Sequence, residues 1–296
     1  MFRYLARGGP AACSLRRTAI LILALLCVPL AFAEAASTGE CQEEELPSVN
    51  DRLYLDWAFA EEAPFDRVFK RSEKRKETLL LALDVGSALN DHLDAGFVFQ
   101  HLAPAGLALF WTWLPVEASP EALRATLRER VWTKRPTVAD PSFFVFLEDG
   151  TGKLGGVPTE ELIRGLRETF VVETTSIDDL SVGEACTIER ERDGHRVRRT
   201  IVRVVEGAER SGTAACLMSA ILAHYGLSDT EAMFHSEALL HDRPNRDGKH
   251  MPPIEYCSLC PLYAWRAEGP QPVPLREGMT KCEAFDVLRQ RWGEED

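Results

Sequence analysis

The chain lacks the signatures of several enzyme classes. It has no G-x-S-x-G turn, so a serine hydrolase of the nucleophile-elbow kind has no support. Its glycine-rich stretch "EDGTGKLGG" carries Lys153 but not the phosphate-loop spacing. Basic residues are outnumbered, 34 against 46 acidic, for a net charge of −12. That balance opposes binding to nucleic acid or to an anionic membrane, because phosphate neutralisation needs clustered Lys and Arg. There is no internal repeat and no low-complexity tract. Beyond the first 33 residues no apolar run approaches the roughly 20 residues that a membrane-spanning helix needs.

What is present begins with a leader. "MFRYLARGGPAACSLRR" is basic, "TAILILALLCVPL" is apolar, and Ala31-Phe32-Ala33 has the form of a cleavage site, so residues 1–33 read as a secretory signal peptide. Its removal takes away Arg3, Arg7, Arg16 and Arg17 and leaves 30 basic against 46 acidic residues, a net charge of −16. It also removes Cys13 and Cys27, leaving Cys41, Cys186, Cys216, Cys257, Cys260 and Cys282. An even cysteine number in an exported chain favours disulfides, and a periplasmic or secreted location follows. Six cysteines allow 15 complete pairings, among which spacing does not choose.

Residues 34–49 are acidic and aperiodic, a flexible lead-in; residues 50–296 are long enough for a single α/β domain. Helices are predicted at 50–63, 87–102, 119–132 and 158–170, the third started by Ser119, Pro120 and Glu121. Strands are predicted at 77–85, 105–117 and 141–149. Asp193-Gly194, between two β-prone runs, marks a hairpin over 184–207. "IEYCSLCPLYAW" has helical spacing interrupted by Pro261, and Thr280 with Glu283 forms a capping box at the start of a last helix. The fold class is therefore α+β: a mixed sheet with helices and a helical C-terminal part. The charged runs "KRSEKRKE" (70–77) and "RERDGHRVRR" (190–199) read as solvated faces.

The stretch "AACLMSAILAHYGLSD" (214–229) reads as an amphipathic helix closed by Gly226 as a left-handed cap, with Leu217, Ile221, Leu222 and Tyr225 as its packing face. Its spacing is also that of a zinc-peptidase helix, in which two histidines four apart bracket a general-base Glu, and a third ligand follows a glycine by three residues. With Gly226 as that glycine, Asp229 falls at the third-ligand position. Ser219 and Ala223 then occupy the histidine positions and Ala220 the Glu position. Neither an alanine methyl nor a lone hydroxyl replaces imidazole as a zinc ligand. His224 lies one residue past the second histidine position, about 100° around the helix. It is expected as an ordinary half-buried or surface histidine.

Several stretches together resemble a bacterial cell-envelope family designated domain of unknown function 2927. They are the hairpin "ACTIERERDGHRVRRTIVRVV", then "CLMSAILAHYGLSD", "MFHSE", "LCPLY" and "LREGMTKCEA", covering 180–290. Members of that family carry an eroded zinc-peptidase helix, and here Ser219-Ala220 replaces its acidic pair and Ala223 its Gln. "IEYCSLCPLYA" is similar to the last helix of metzincin peptidases. The resemblance implies a degenerate zincin-like core. Because the family tends to place cysteines at both points, it also implies a Cys186–Cys216 disulfide.

For Cys257-Ser-Leu-Cys260 three readings stay open. One is structural disulfides, Cys257 or Cys260 joined to Cys282 and Cys41 taking the other. Another is a zinc site completed by Cys282 with Cys41 or His250. The third is a thiol–disulfide pair. The reading of the whole is an exported non-catalytic envelope protein, working without a cofactor or metal, that binds an unknown envelope protein or ligand and neither nucleic acid nor, once the leader is removed, the bilayer. Its alternatives are a zinc-dependent peptidase with relocated ligands (His224, Asp229, and His235 or His241) and a periplasmic thiol–disulfide protein using Cys257 and Cys260.

Overall fold

A strand covered on both faces reads as an unbroken apolar run, and "FFVFLE" is such a strand, with all six positions buried. In the computed structural model it is one of nine strands among the described residues, which are 46, 48–61, 64–71, 77–83, 101–114, 120–134, 140–205, 210–235, 257–263 and 275–293. All of these belong to one compact unit, Cys41–Asp296. In chain order the elements are α1 (Val49–Ala58), β1 (Lys70–Arg71), β2 (Glu77–Leu83), β3 (Ala108–Leu114), α2 (Pro120–Leu127), β4 (Phe143–Glu148), β5 (Lys153–Leu154) and β6 (Val157–Pro158). There follow α3 (Thr159–Thr169), β7 (Ser176–Asp179), β8 (Cys186–Asp193), β9 (Arg196–Val205), α4 (Arg210–His224), α5 (Thr230–His235), α6 (Cys260–Tyr263) and α7 (Lys281–Gly293). The leader expected at 1–33 with its two cysteines, Cys41, Ser119, His241, His250 and the helix expected at 87–102, except for its last two residues, lie outside the described residues.

The main sheet runs β3-β2-β4-β9-β8-β7, with β1 beside the start of β9. β2, β3, β4 and β9 are mutually parallel, whereas β8 is antiparallel to both β9 and β7. The sheet is therefore mixed, as the α+β reading requires. Side chains alternate across it. Phe143, Val145 and Leu147 face a core shared with α1, α4, α5, α6 and α7. Phe144 and Phe146 face a second core shared with α2 and α3. Among the described residues no helix is long and apolar enough to cross a membrane.

The local signals resolve as chemistry dictates. Gly194 takes φ 59° in the hairpin turn. Thr280 N–H donates to Glu283 Oε2 (2.8 Å) and Glu283 N–H to Thr280 Oγ1 (3.2 Å), which is the reciprocal capping box. α2 continues into one wide, π-helical turn at Arg128–Trp132.

Three expectations are corrected. The lead-in 34–49 is not loose at its end: Leu46 is buried in the core, and Ser48 Oγ accepts from Asp51 N–H to cap α1. In the motif "IEYCSLCPLYAW" only Cys260–Tyr263 is helical among the described residues, after a turn at 257–259. The charged runs are not simply solvated faces. Lys70, Arg71, Arg190, Glu191 and Arg199 are buried. The reason is strand alternation: Cys186, Ile188 and Arg190 share the face under α4, while Glu189 and Glu191 share the face under α3. Every one of the six arginines of β8 and β9 meets a carboxylate. Arg190 and Arg192 share Asp178, Arg196 pairs with Glu277, Arg198 with Asp193, Arg199 with Glu191, and Arg203 with Glu148 and Glu160. This hairpin therefore offers no surplus of positive charge to a polyanion.

Candidate functional site

α4 is apolar on all sides, and such a helix belongs inside a protein. Every residue from Ala215 to Ser228 is buried. Leu217, Ile221, Leu222 and Tyr225 form part of the core as expected, but so do Ala220 and Ala223 on the opposite flank. The amphipathic description is thus corrected: from Ala215 onward no face of α4 is left to line a cleft. Ser219, Ala220 and Ala223, at the ligand and general-base positions of the peptidase pattern, are each fully buried. The Ser219 hydroxyl has no hydrogen-bond partner among the described residues.

His224 ends the helix and points inward, not to the surface, which corrects the expectation of a half-exposed ring. It stacks on Phe143 with ring centres 5.0 Å apart and planes 11° apart. Its Nδ1 lies 2.9 Å from Thr200 Oγ1, and its Nε2 meets Arg71 Nη1. A guanidinium only donates, so Nε2 is the acceptor, and Nδ1 carries the proton and donates to Thr200. Arg71 in turn donates through Nη2 to Ser142 Oγ at 2.8 Å. Burial, then the Arg71 and Arg190 charges, holds the imidazole pKa well below its ordinary value, so the ring is neutral. The one lone pair that a metal would need is occupied.

The other proposed ligands have separate tasks. Asp229 accepts from Ala232 N–H through Oδ1 (2.8 Å), the N-cap bond of α5. His235 is exposed at the far end of α5, edge-on to Phe234. Among the described residues no three His, Cys, Asp or Glu side chains are grouped so as to hold a metal ion.

The cysteines divide into unlike bonds. Cys186 in β8 is bonded to Cys216 in α4, tying the sheet to the buried helix across 30 residues. In the chain-entropy description a loop of this length stabilises by roughly 3–4 kcal/mol. Cys257 and Cys260 are bonded to each other. This replaces the pairing of one of them with Cys282, which is itself disulfide-bonded. A loop as short as Cys257–Cys260 constrains the unfolded chain least, roughly 2 kcal/mol in the same description. Around it, Asn50 Oδ1 accepts from Cys257 N–H (2.8 Å) and the Ser258 hydroxyl lies 3.1 Å from His101 Nδ1.

Burial holds His101 far below its ordinary pKa, at about 3. Both buried histidines therefore stay neutral in the fold while the unfolded chain protonates them near pH 6.5. Between pH 6.5 and the depressed folded values the unfolded state binds more protons. Stability is complete above pH 6.5 and falls as pH drops, by up to about 1.4 kcal/mol per pH unit for each ring. Urea midpoints measured from pH 7.5 to 5 should decline steadily below 6.5; a constant midpoint contradicts the burial of these rings.

Compared with known proteins, the chain matches no family model, no curated protein and no solved structure. Sequence reasoning missed Arg71, Ser142 and Thr200 as partners of His224. The signal for Thr200 was available, since it shares the α4-facing side of β9 with Val202 and Val204. Arg71 and Ser142 are joined to His224 only by tertiary pairing.

Proposed function

We propose that this protein is an exported, disulfide-braced member of the cell-envelope family it resembles, with a degenerate zincin-like core. In this reading it works by binding a protein partner or ligand and not by proteolysis. The observation that carries the reading is the engagement of His224: its acceptor nitrogen receives an Arg71 hydrogen bond inside the core, while positions 219, 220 and 223 are packed. A zinc centre built from His224, Asp229 and His235 would have to break that bond and uncap α5 before it could form. The disulfides support an oxidising compartment. Val171, in the short link into β7, and Ile177, within β7, are the most exposed large apolar side chains among the described residues and the first positions to substitute when a partner is sought.

The test is zinc loading. Purified full-length chain incubated with excess zinc, desalted and analysed by elemental analysis should retain only sub-stoichiometric metal and should not cleave denatured casein. One tightly held zinc per chain, lost on His224→Ala, would overturn this reading, and zinc-dependent cleavage of casein would favour the peptidase alternative instead.

A further inference from the structure

We propose that Cys257–Cys260 is a reversible thiol–disulfide exchange site, in which Cys260 is the sulfur reached by an external thiol and Cys257 the sulfur that leaves. Three observations converge on it, none of which involves the reading of α4. First, the two residues are unequal: Cys257 is fully buried, whereas Cys260 is only partly buried, packed against the edge of the core. An incoming thiol therefore meets one sulfur and not the other. Second, the reduced state is provided for. Cys257 Sγ lies 3.6 Å from the His101 carbonyl oxygen, an acceptor that a thiol can use and a disulfide sulfur cannot. Third, the frame does not depend on the bond. Asn50 holds Cys257 N–H, Ser258 meets His101, Cys260 N–H donates to Cys257 O (3.2 Å), and Leu259 and Leu262 are buried. On opening of the bond the sulfurs need only move apart to van der Waals contact, while these hydrogen bonds hold the backbone around them.

The chemistry needs a reductant, and the site fits a small dithiol or an exposed dithiol of another protein. One thiolate of the reductant attacks Cys260 Sγ. The Cys257–Cys260 bond breaks, a mixed disulfide forms on Cys260, and the electron pair leaves on Cys257 Sγ, which takes up a proton and donates to His101 O. The second thiolate of the reductant then attacks its own sulfur in the mixed disulfide. This expels Cys260 as a thiolate, which is protonated in turn, and closes the reductant's disulfide. The protein gains two electrons and two protons, and the reductant loses the same.

The probe is dithiothreitol on the folded full-length chain, with timed alkylation and peptide mass spectrometry. Cys257 and Cys260 should become alkylated at least tenfold sooner than Cys186 and Cys216, with the circular dichroism of the native chain retained. In single variants, Cys257→Ser should leave a Cys260 that forms a mixed disulfide with oxidised glutathione. Cys260→Ser should leave a Cys257 that resists both glutathione and alkylation until denaturant is added. Reduction of the pair no sooner than Cys186–Cys216, loss of native structure on its reduction, or equal reactivity of the two single variants would each overturn the proposal. The wild-type time course stands even if a variant fails to fold.

Discussion

Gly226→Ala is expected to destabilise the fold by about 3–5 kcal/mol, enough to leave little folded protein. Two independent costs meet at this residue. Its φ is 122°, a conformation that residues with a Cβ rarely adopt. A Cβ placed there would also lie 2.3 Å from Phe69 O and 2.9 Å from Phe69 C, contacts with backbone and not with a side chain that can swing away. The glycine is needed because α4 must stop inside the core. Leu227 N–H reaches back to Leu222 O (3.2 Å) and Gly226 N–H to Ala223 O (3.1 Å), the paired bonds of a Schellman stop. The chain then turns so that Ser228 and Asp229 N–H can donate to Trp57 O. Phe69 cannot retreat, because the next two residues form β1 against β9. Urea unfolding or the soluble yield measures the effect. A variant within about 1 kcal/mol of the parent would show that the end of α4 is not held as described.

The second large effect is expected at Asp178. Arg190 lies wholly inside the protein, its guanidinium 4.3 Å above the Phe69 ring, donating to Leu227 O (2.9 Å) and Ser228 Oγ (3.1 Å). Burial lowers its pKa to about 10, so at neutral pH it remains charged and needs a counter-charge. Asp178 supplies it at 3.5 Å and also receives Arg192 at 2.7 Å. Asp178→Ala leaves a buried cation with neutral acceptors only, which should cost about 3–5 kcal/mol. The double variant Asp178→Leu/Arg190→Met, which removes the charges together, should be less destabilised than Asp178→Ala alone. The exposed pair Arg196–Glu277 is the internal control: Glu277→Ala should leave the urea midpoint almost unchanged. If the double variant is the least stable of the set, the charge account of the hairpin is wrong.

Much of the fold was legible because its signals are local. β4 is an apolar run, β8–β9 a hairpin around Asp193-Gly194, α7 a capping box, and α4 a run of small and apolar residues closed by glycine. What was not legible is non-local. The interior fate of Arg71, Arg190 and Arg199 is decided by carboxylates, hydroxyls and aromatic rings brought in by other elements. Charge run alone therefore pointed to solvent. The period-two alternation of "CTIERERD" did carry a warning, since it sets Arg190 on the same side as Cys186 and Ile188. The candidate site was half legible: that 219 and 223 carry no imidazole and 220 no carboxylate follows from residue type, but the inward turn of His224 needed the Arg71 and Thr200 contacts. The Cys257–Cys260 bond depends on a turn geometry that spacing permits without requiring.

The central claim is that α4 belongs to the core and that His224 is a neutral, fully engaged part of it. The most direct test is the nitrogen NMR of the His224 ring in the native full-length chain, followed from pH 7.5 to 5 and then with zinc added. The account predicts one neutral tautomer protonated at Nδ1 across that range, with no change on zinc addition. A ring that titrates near its ordinary value, or whose Nε2 resonance shifts on binding zinc, would contradict it.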